Sequence, residues 1–141
     1  MSLKIVCDKN IVRVEEMFSS LGEILLIEGR NISREHLIDA DVLLVRSVTR
    51  VNQDLLNGTS VKFVGTATSG IDHIDHAWLK ENRIQFAYAP GSNANSVVEY
   101  VLCAIASVDD YWERLESGGK VGVIGFGHVG KRLVNYLSKL N

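Results

Sequence analysis

The sequence predicts an α/β fold with a doubly wound parallel sheet, and two observations carry that prediction. Short β-branched runs alternate along the chain with segments of helical period. The runs are continuously apolar rather than alternating, as parallel strands covered on both faces must be.

Residues 4–7 read as the first strand, and 11–21 as an amphipathic helix that stops at Gly22. A strand over 23–27 follows, and Ser33 is placed to cap a helix over 34–39. Residues 42–46 read as a strand, then Asn52 caps a helix over 53–56 that stops at Gly58. A strand over 62–65, a short helix over 74–81 and a strand over 84–88 come next. A long helix is expected over 95–115, then a strand over 120–124 and a helix over 129–140. The order divides into a first α/β unit, 1–105, and the start of a second, 106–141. The first reads as a flavodoxin-like doubly wound parallel sheet, the second as the opening βα unit of a Rossmann domain. One βα unit cannot bury its own faces, so the second unit is expected to be cut short or to take partner strands from elsewhere.

At 141 residues the chain is long enough to bury a core. With 46% hydrophobic and 23% charged residues it reads as globular rather than disordered. Its 15 basic and 17 acidic residues are interspersed without a basic block, which argues against nucleic-acid or anionic-membrane partners. No apolar run approaches the roughly 20 residues that cross a bilayer. Residues 1–4 lead straight into a strand, without the charged and apolar regions of a signal peptide. Cys7 and Cys103 lie far apart among apolar neighbours and are expected to be two buried thiols in a reducing cytoplasm.

Gly125, Gly127 and Gly130 form G-x-G-x-x-G between a β-rich run and a helix, the context that gives this short pattern meaning. Gly125 permits the tight turn, Gly127 leaves room for a pyrophosphate, and Gly130 allows close packing against the helix. The helix N-terminus adds unpaired amides and a partial positive charge. The acidic residue that holds the ribose is expected about 20 positions further on. The 141 residues end before it, so NAD and NADP are not distinguished by this stretch.

Other loops follow predicted strands at their carboxyl ends, where open α/β sheets bind ligands. Arg46 stands beside the hydroxyls of Ser47 and Thr49 and suits capture of a phosphate or carboxylate; it reads equally well as a surface arginine beside capping hydroxyls. Gly65 to Asp72 is small and glycine-bearing, able to converge backbone amides on an anion or to form a plain turn. Ala89-Pro90-Gly91 leads into Asn93 and Asn95, either of which suits the N-cap of the long helix.

The strand ending in Arg46-Ser47, the turn from Gly65 through Gly70 and Asp72 to Asp75, Ala89-Pro90-Gly91-x-Asn93, and the helix bearing Glu99 precede the glycine loop. In this order the whole chain resembles the D-isomer-specific 2-hydroxyacid dehydrogenases. Residues 63–68 and 97–101 depart from the phosphoglycerate branch, which usually has an arginine and a further glycine in the first and Ala-Ala-Glu-His in the second. The resemblance implies the N-terminal portion of a cytoplasmic, NAD-dependent oxidoreductase, homodimeric when full length, acting on a small phosphorylated hydroxyacid. It implies that Arg46, Ser47 and Thr68 touch substrate, with the Ser69 and Gly70 backbone near its carboxylate. It places Gly125, Gly127, His128, Val129 and Gly130 around the NAD pyrophosphate. The family's catalytic arginine, glutamate and histidine fall beyond residue 141, so the chain alone is expected to be inactive. Another 2-hydroxyacid dehydrogenase, or a non-catalytic small-anion module, is the alternative.

His73-x-x-His76 offers too few ligands for a zinc site and reads as a loop entering a helix capped by Asp75. His36 stands alone. The stretch 109–116, with Tyr111 and Trp112, reads as a helix end packed between domains.

Overall fold

The computed structural model describes residues 2–139. Its internal contacts divide it into two compact units, Met1–Ala89 and Pro90–Asn141. The division falls earlier than the expected boundary after residue 105, because the helix following Pro90 packs against the helices behind it.

The first unit is built on β1 (Leu3–Asp8), β2 (Gly22–Ile27), β3 (Val42–Val45), β4 (Phe63–Thr66) and β5 (Gln85–Tyr88). They form one sheet in the order β2-β1-β3-β4-β5, and every pairing is parallel. That is the flavodoxin-like order anticipated from the sequence, and the strand bounds agree within about a residue. Alternate residues of the apolar runs serve opposite faces. Val6, Leu43, Val45 and Val64 join Leu37, Leu56 and Leu79 in one core. Ile5, Cys7 and Leu44 pack with Val14 in the other. Each fully buried leucine contributes roughly 1.5–3 kcal/mol of transfer free energy.

The connections are shorter than the sequence suggested. The helix expected over 11–21 is only α1 (Val14–Phe18), because Arg13 takes a left-handed φ of 61° just before it. The segment 34–39 forms a 3₁₀ turn over Arg34–Leu37, where the Ser33 N–H donates to His36 Nδ1 at 3.1 Å. A further 3₁₀ turn, Gly29–Asn31, was not foreseen. α2 (Gln53–Leu56) has the expected cap, with Asn52 Oδ1 accepting from the Leu55 N–H at 3.1 Å, and Gly58 behind it has φ 79°. α3 (His76–Glu81) is capped by Asp75, whose Oδ1 accepts from the Trp78 N–H at 3.0 Å.

The second unit contains α4 (Ala94–Ala106), α5 (Tyr111–Glu116) and α6 (His128–Leu137). The single helix expected over 95–115 is therefore broken. Ser107 Oγ donates to the Cys103 carbonyl at 2.7 Å, and Asp110 takes a φ of 54° that a continuing helix cannot contain. Residues 120–124 also differ from expectation. They form no strand, because β structure is made by a partner's hydrogen bonds and none of the described residues supplies them. Ile124 is fully exposed as a result. Leu140, the last residue of the expected final helix, lies outside the described residues.

The two cysteines differ. Cys7 is buried, and burial together with the Asp8 charge pushes its thiol up to about 12. Cys103 is exposed, contrary to expectation, because the buried stripe of α4 runs through Ala94 and Val98 and misses it. Among the described residues no helix is long and apolar enough to cross a membrane.

Truncating the core leucine of α3, Leu79→Ala, is expected to cost about 2–5 kcal/mol in chemical denaturation. Hydrogen exchange is expected to show slow amides in β1, β3 and β4 and nearly unprotected ones over residues 120–126. Slow exchange in that stretch would reveal strand pairing.

Candidate functional site

In the first unit the site forms where β3 and β4 end. Val45 lies against Thr66 in the register, and the Ala67 N–H donates to the Val45 carbonyl at 2.9 Å. The loops that follow therefore leave the carboxyl edge of the sheet side by side. They are joined again where the Val51 N–H donates to the His73 carbonyl and the Asp75 N–H donates to the Val51 carbonyl, each at 2.8 Å. This double tie brings Arg46, Ser47 and Thr68 to the same end of the sheet.

Arg46 is half-buried, and among the described residues no carboxylate lies within ion-pair distance of it. Glu28 feels its charge weakly. The hydrogen bond from Lys9 is the main cause that holds the Glu28 carboxyl below its ordinary range, and Arg46 adds the smallest contribution. Ser47 is exposed. Thr49, expected as a second free hydroxyl, instead donates to the Gly29 carbonyl at 2.7 Å and is buried. Its role is to hold the loop.

The turn after β4 carries no left-handed residue, so the alternating backbone of an anion nest is not present. The amides of Ser69 and Gly70 nonetheless take part in no backbone hydrogen bond among the described residues and remain available to an anion. Gly65 packs closely against β3: a Cβ there would lie 2.8 Å from Leu44 Cδ2, so the end of that side chain would have to move.

Two features escaped the sequence reading. Asp8, the last residue of β1, is fully buried. Its Oδ1 accepts from the Asn10 N–H at 3.0 Å and from Asn10 Nδ2 at 3.1 Å. Asn10 Nδ2 also donates to Glu28 Oε1 at 2.9 Å. Asp8 Oδ2 has no partner among the described residues, and a Cβ on Gly29 would come within 2.4 Å of it. The Asp-x-Asn at a strand end was the available signal, since such residues close Asx turns. The second is His73, which the sequence offers only as part of a loop entering a helix. Its Nε2 sits 2.9 Å from Thr66 Oγ1, which is 2.8 Å from Thr68 Oγ1, while Thr68 Oγ1 donates to the Gly70 carbonyl at 3.1 Å. The His76 ring meets Phe86 edge-on at 5.5 Å instead.

In the second unit the glycine loop has the conformational needs its spacing implied. Gly125 takes φ 95°. Gly127 is the N-cap of α6, and a Cβ there would meet nothing within 4 Å. A Cβ on Gly130 would lie 2.1 Å from the Gly125 carbonyl oxygen. The His128 and Val129 amides make no backbone hydrogen bond among the described residues, so the helix end presents free donors. The His128 ring packs over Gly91, where a Cβ would approach within 2.7 Å of a ring carbon. Asn93 occupies the N-cap of α4 without a side-chain bond, while Asn95 Oδ1 accepts from Arg132 Nη1 at 2.6 Å. Trp112 Nε1 donates to Glu116 Oε1 at 3.1 Å within α5.

The first unit is a doubly wound parallel sheet, and the second carries a G-x-G-x-x-G loop at the N-terminus of a helix, as nucleotide-binding α/β folds do. The profile of the D-isomer specific 2-hydroxyacid dehydrogenase catalytic domain matches residues 9–135, and the chain belongs to that family. It is 50% identical over 135 residues to erythronate-4-phosphate dehydrogenase of Cellvibrio japonicus (strain Ueda107), covering 96% of this chain and 35% of that protein. It is 50% identical over 134 residues to the enzyme of the same name from Yersinia pestis (strain Pestoides F), covering 93% and 35%. The chain thus spans about a third of the length of these relatives. The fold is shared with NAD+-bound 3-phosphoglycerate dehydrogenase of Entamoeba histolytica, with a TM-score of 0.68 and 24% identity over 99% of this chain and 52% of that one. D-lactate dehydrogenase of Aquifex aeolicus, complexed with NAD and lactic acid, gives a TM-score of 0.73 and 18% identity over 97% and 48%.

Burial holds His73 below its ordinary value of 6.5, with Asp72 opposing the shift. The unfolded chain then binds the proton more readily, so the stability contributed by neutral His73 is complete above pH 6.5 and is lost as pH falls through the depressed folded value. Denaturation midpoints followed from pH 7.5 to 5 are expected to fall more steeply for the native sequence than for His73→Gln. Equal slopes would assign the acid sensitivity to other groups.

Proposed function

We propose that the protein carrying this chain oxidises the 2-hydroxyl of 4-phospho-D-erythronate with NAD, a step toward pyridoxal 5′-phosphate. The single observation that carries the proposal is the set of unpaired donors at the carboxyl edge of the first sheet. Arg46 lacks a carboxylate partner among the described residues, and beyond Thr68 the Ser69 and Gly70 amides are free. A substrate bearing both a carboxylate and a phosphate suits such a site, because charge-assisted hydrogen bonds recover the desolvation of each partner. The names of relatives at 50% identity supply the particular acid.

In this reading the first α/β unit binds substrate through Arg46, Ser47 and Thr68, with the Ser69 and Gly70 amides toward its carboxylate. The second unit opens the cofactor domain. The open space at Gly127, the close approach at Gly130 and the free amides of His128 and Val129 fit a pyrophosphate at the α6 N-terminus. A bound NAD would supply the hydride acceptor for oxidation of the carbinol carbon, and the hydroxyl proton would pass to the histidine that the family resemblance places beyond residue 141. The residues of this chain bind and orient substrate and cofactor, and no proton-transfer role is assigned to them.

In the intact protein, Arg46→Ala is expected to raise the KM for 4-phosphoerythronate roughly tenfold or more and to leave NAD affinity unchanged, as loss of a charge-assisted contact predicts. Steady-state kinetics with NAD titration checks both. An unchanged KM would make Arg46 a surface residue.

A further inference from the structure

The hydroxyls of Thr66 and Thr68 and the ring of His73 form a chain in which each hydrogen has one place to go. The Gly70 carbonyl can only accept, so the single Thr68 hydrogen points to it. The 2.8 Å contact between Thr66 and Thr68 then needs the Thr66 hydrogen. With that hydrogen committed, Thr66 Oγ1 must accept from His73 Nε2 at 2.9 Å. The opposite tautomer would use the Thr66 hydrogen on the ring and leave the two threonine oxygens facing each other with no proton between them. Only the neutral Nε2–H form, or the doubly protonated ring, satisfies all three contacts. Thr66 is buried, so an unmatched oxygen there would lack water to compensate. The main chain that carries the ring is tied on both sides, through the His73 carbonyl and the Asp75 N–H that pair with Val51.

The consequence falls on Thr68, which is half-exposed at the carboxyl edge. Its oxygen receives a hydrogen from Thr66 and its own hydrogen is engaged, so what it presents outward is a lone pair. A phosphate or carboxylate oxygen is repelled there and a ligand hydroxyl is welcomed. We propose that His73 is a positioning residue that fixes the polarity of this chain, so that Thr68 accepts a hydrogen bond from a hydroxyl of the substrate. The inference rests on the hydroxyacid reading given above. It divides the labour of the site: Arg46 and the free amides take the anionic groups, and Thr68 reads the polyol.

The test uses the intact protein, imidazole nitrogen NMR, and calorimetric binding of 4-phosphoerythronate and its two mono-deoxy analogues. The spectrum is expected to show His73 as the neutral Nε2–H tautomer near pH 7.5. One deoxy analogue is expected to bind about tenfold more weakly than the parent, the loss of one hydrogen bond. Thr68→Val and His73→Leu are each expected to weaken the parent but not that analogue, and the double variant to be no worse than Thr68→Val alone. His73→Gln, which keeps a donor, is expected to restore binding and guards against a folding defect in His73→Leu. An Nδ1–H tautomer, additive losses in the double variant, or equal losses for parent and analogue would overturn the proposal. Failure of the native protein to bind any of the three compounds would overturn the functional reading itself, and the tautomer would still decide the relay.

Discussion

Because β3 and β4 run parallel with Val45 against Thr66, the chain must leave the sheet twice at adjacent points on one edge. Most features of the candidate site follow from that constraint. Parallel pairing requires each strand to be re-entered from the far side, so α2 and α3 cover one face and every loop that leaves a strand collects at the carboxyl end. The bridge between Val51 and Ile74 then ties the two loops a second time, away from the sheet. Between the two ties, Arg46 and Thr68 have little freedom to separate, although no hydrogen bond joins them. Burial on both faces holds the register, since a one-residue slip would exchange the side chains that β3 gives to its two cores.

Within this frame the polar groups divide into those that bond within the fold and those that make no such bond among the described residues. Thr49 and Asn10 belong to the first kind: each bonds to the neighbouring 28–29 segment and holds a loop in place. Arg46, Ser47 and the Ser69 and Gly70 amides belong to the second. Asp8 is intermediate, with one oxygen accepting two hydrogen bonds from Asn10 and the other packed against Gly29 without a donor among the described residues. A fully buried carboxylate oxygen without a partner is an energetic cost that a fold retains only when its surroundings fix it tightly, and Gly29 is the residue small enough to allow it.

The glycine loop obeys a different logic, in which each glycine answers a separate steric demand. Gly125 supplies a left-handed turn, Gly130 a contact that no Cβ could enter, and Gly127 an open approach to free amides. These demands are local and are met although residues 120–124 form no ladder. Turn and helix depend on neighbours in sequence; a strand depends on a partner elsewhere.

The sequence by itself determined the elements whose signals are local. Continuous apolar runs marked the five strands, Asn52 and Asp75 marked caps that bond as expected, and the spacing of Gly125, Gly127 and Gly130 carried its steric reasons with it. Placement of Arg46 and Thr68 at strand ends was also legible, because a parallel sheet sends its loops to one edge. Only the tertiary structure decided what those groups face. It showed that Thr49 is committed to Gly29, that Asp8 is sealed beneath a glycine, and that His73 reaches Thr66 across the turn. It also decided that residues 120–124 go unpaired, that Cys103 is exposed, and that the long apolar pattern over 95–115 breaks at Asp110. The physical reason is common to all of these. Periodicity records which face of a segment is apolar, whereas hydrogen-bond partners and strand neighbours are set by distances across the fold that no single segment encodes.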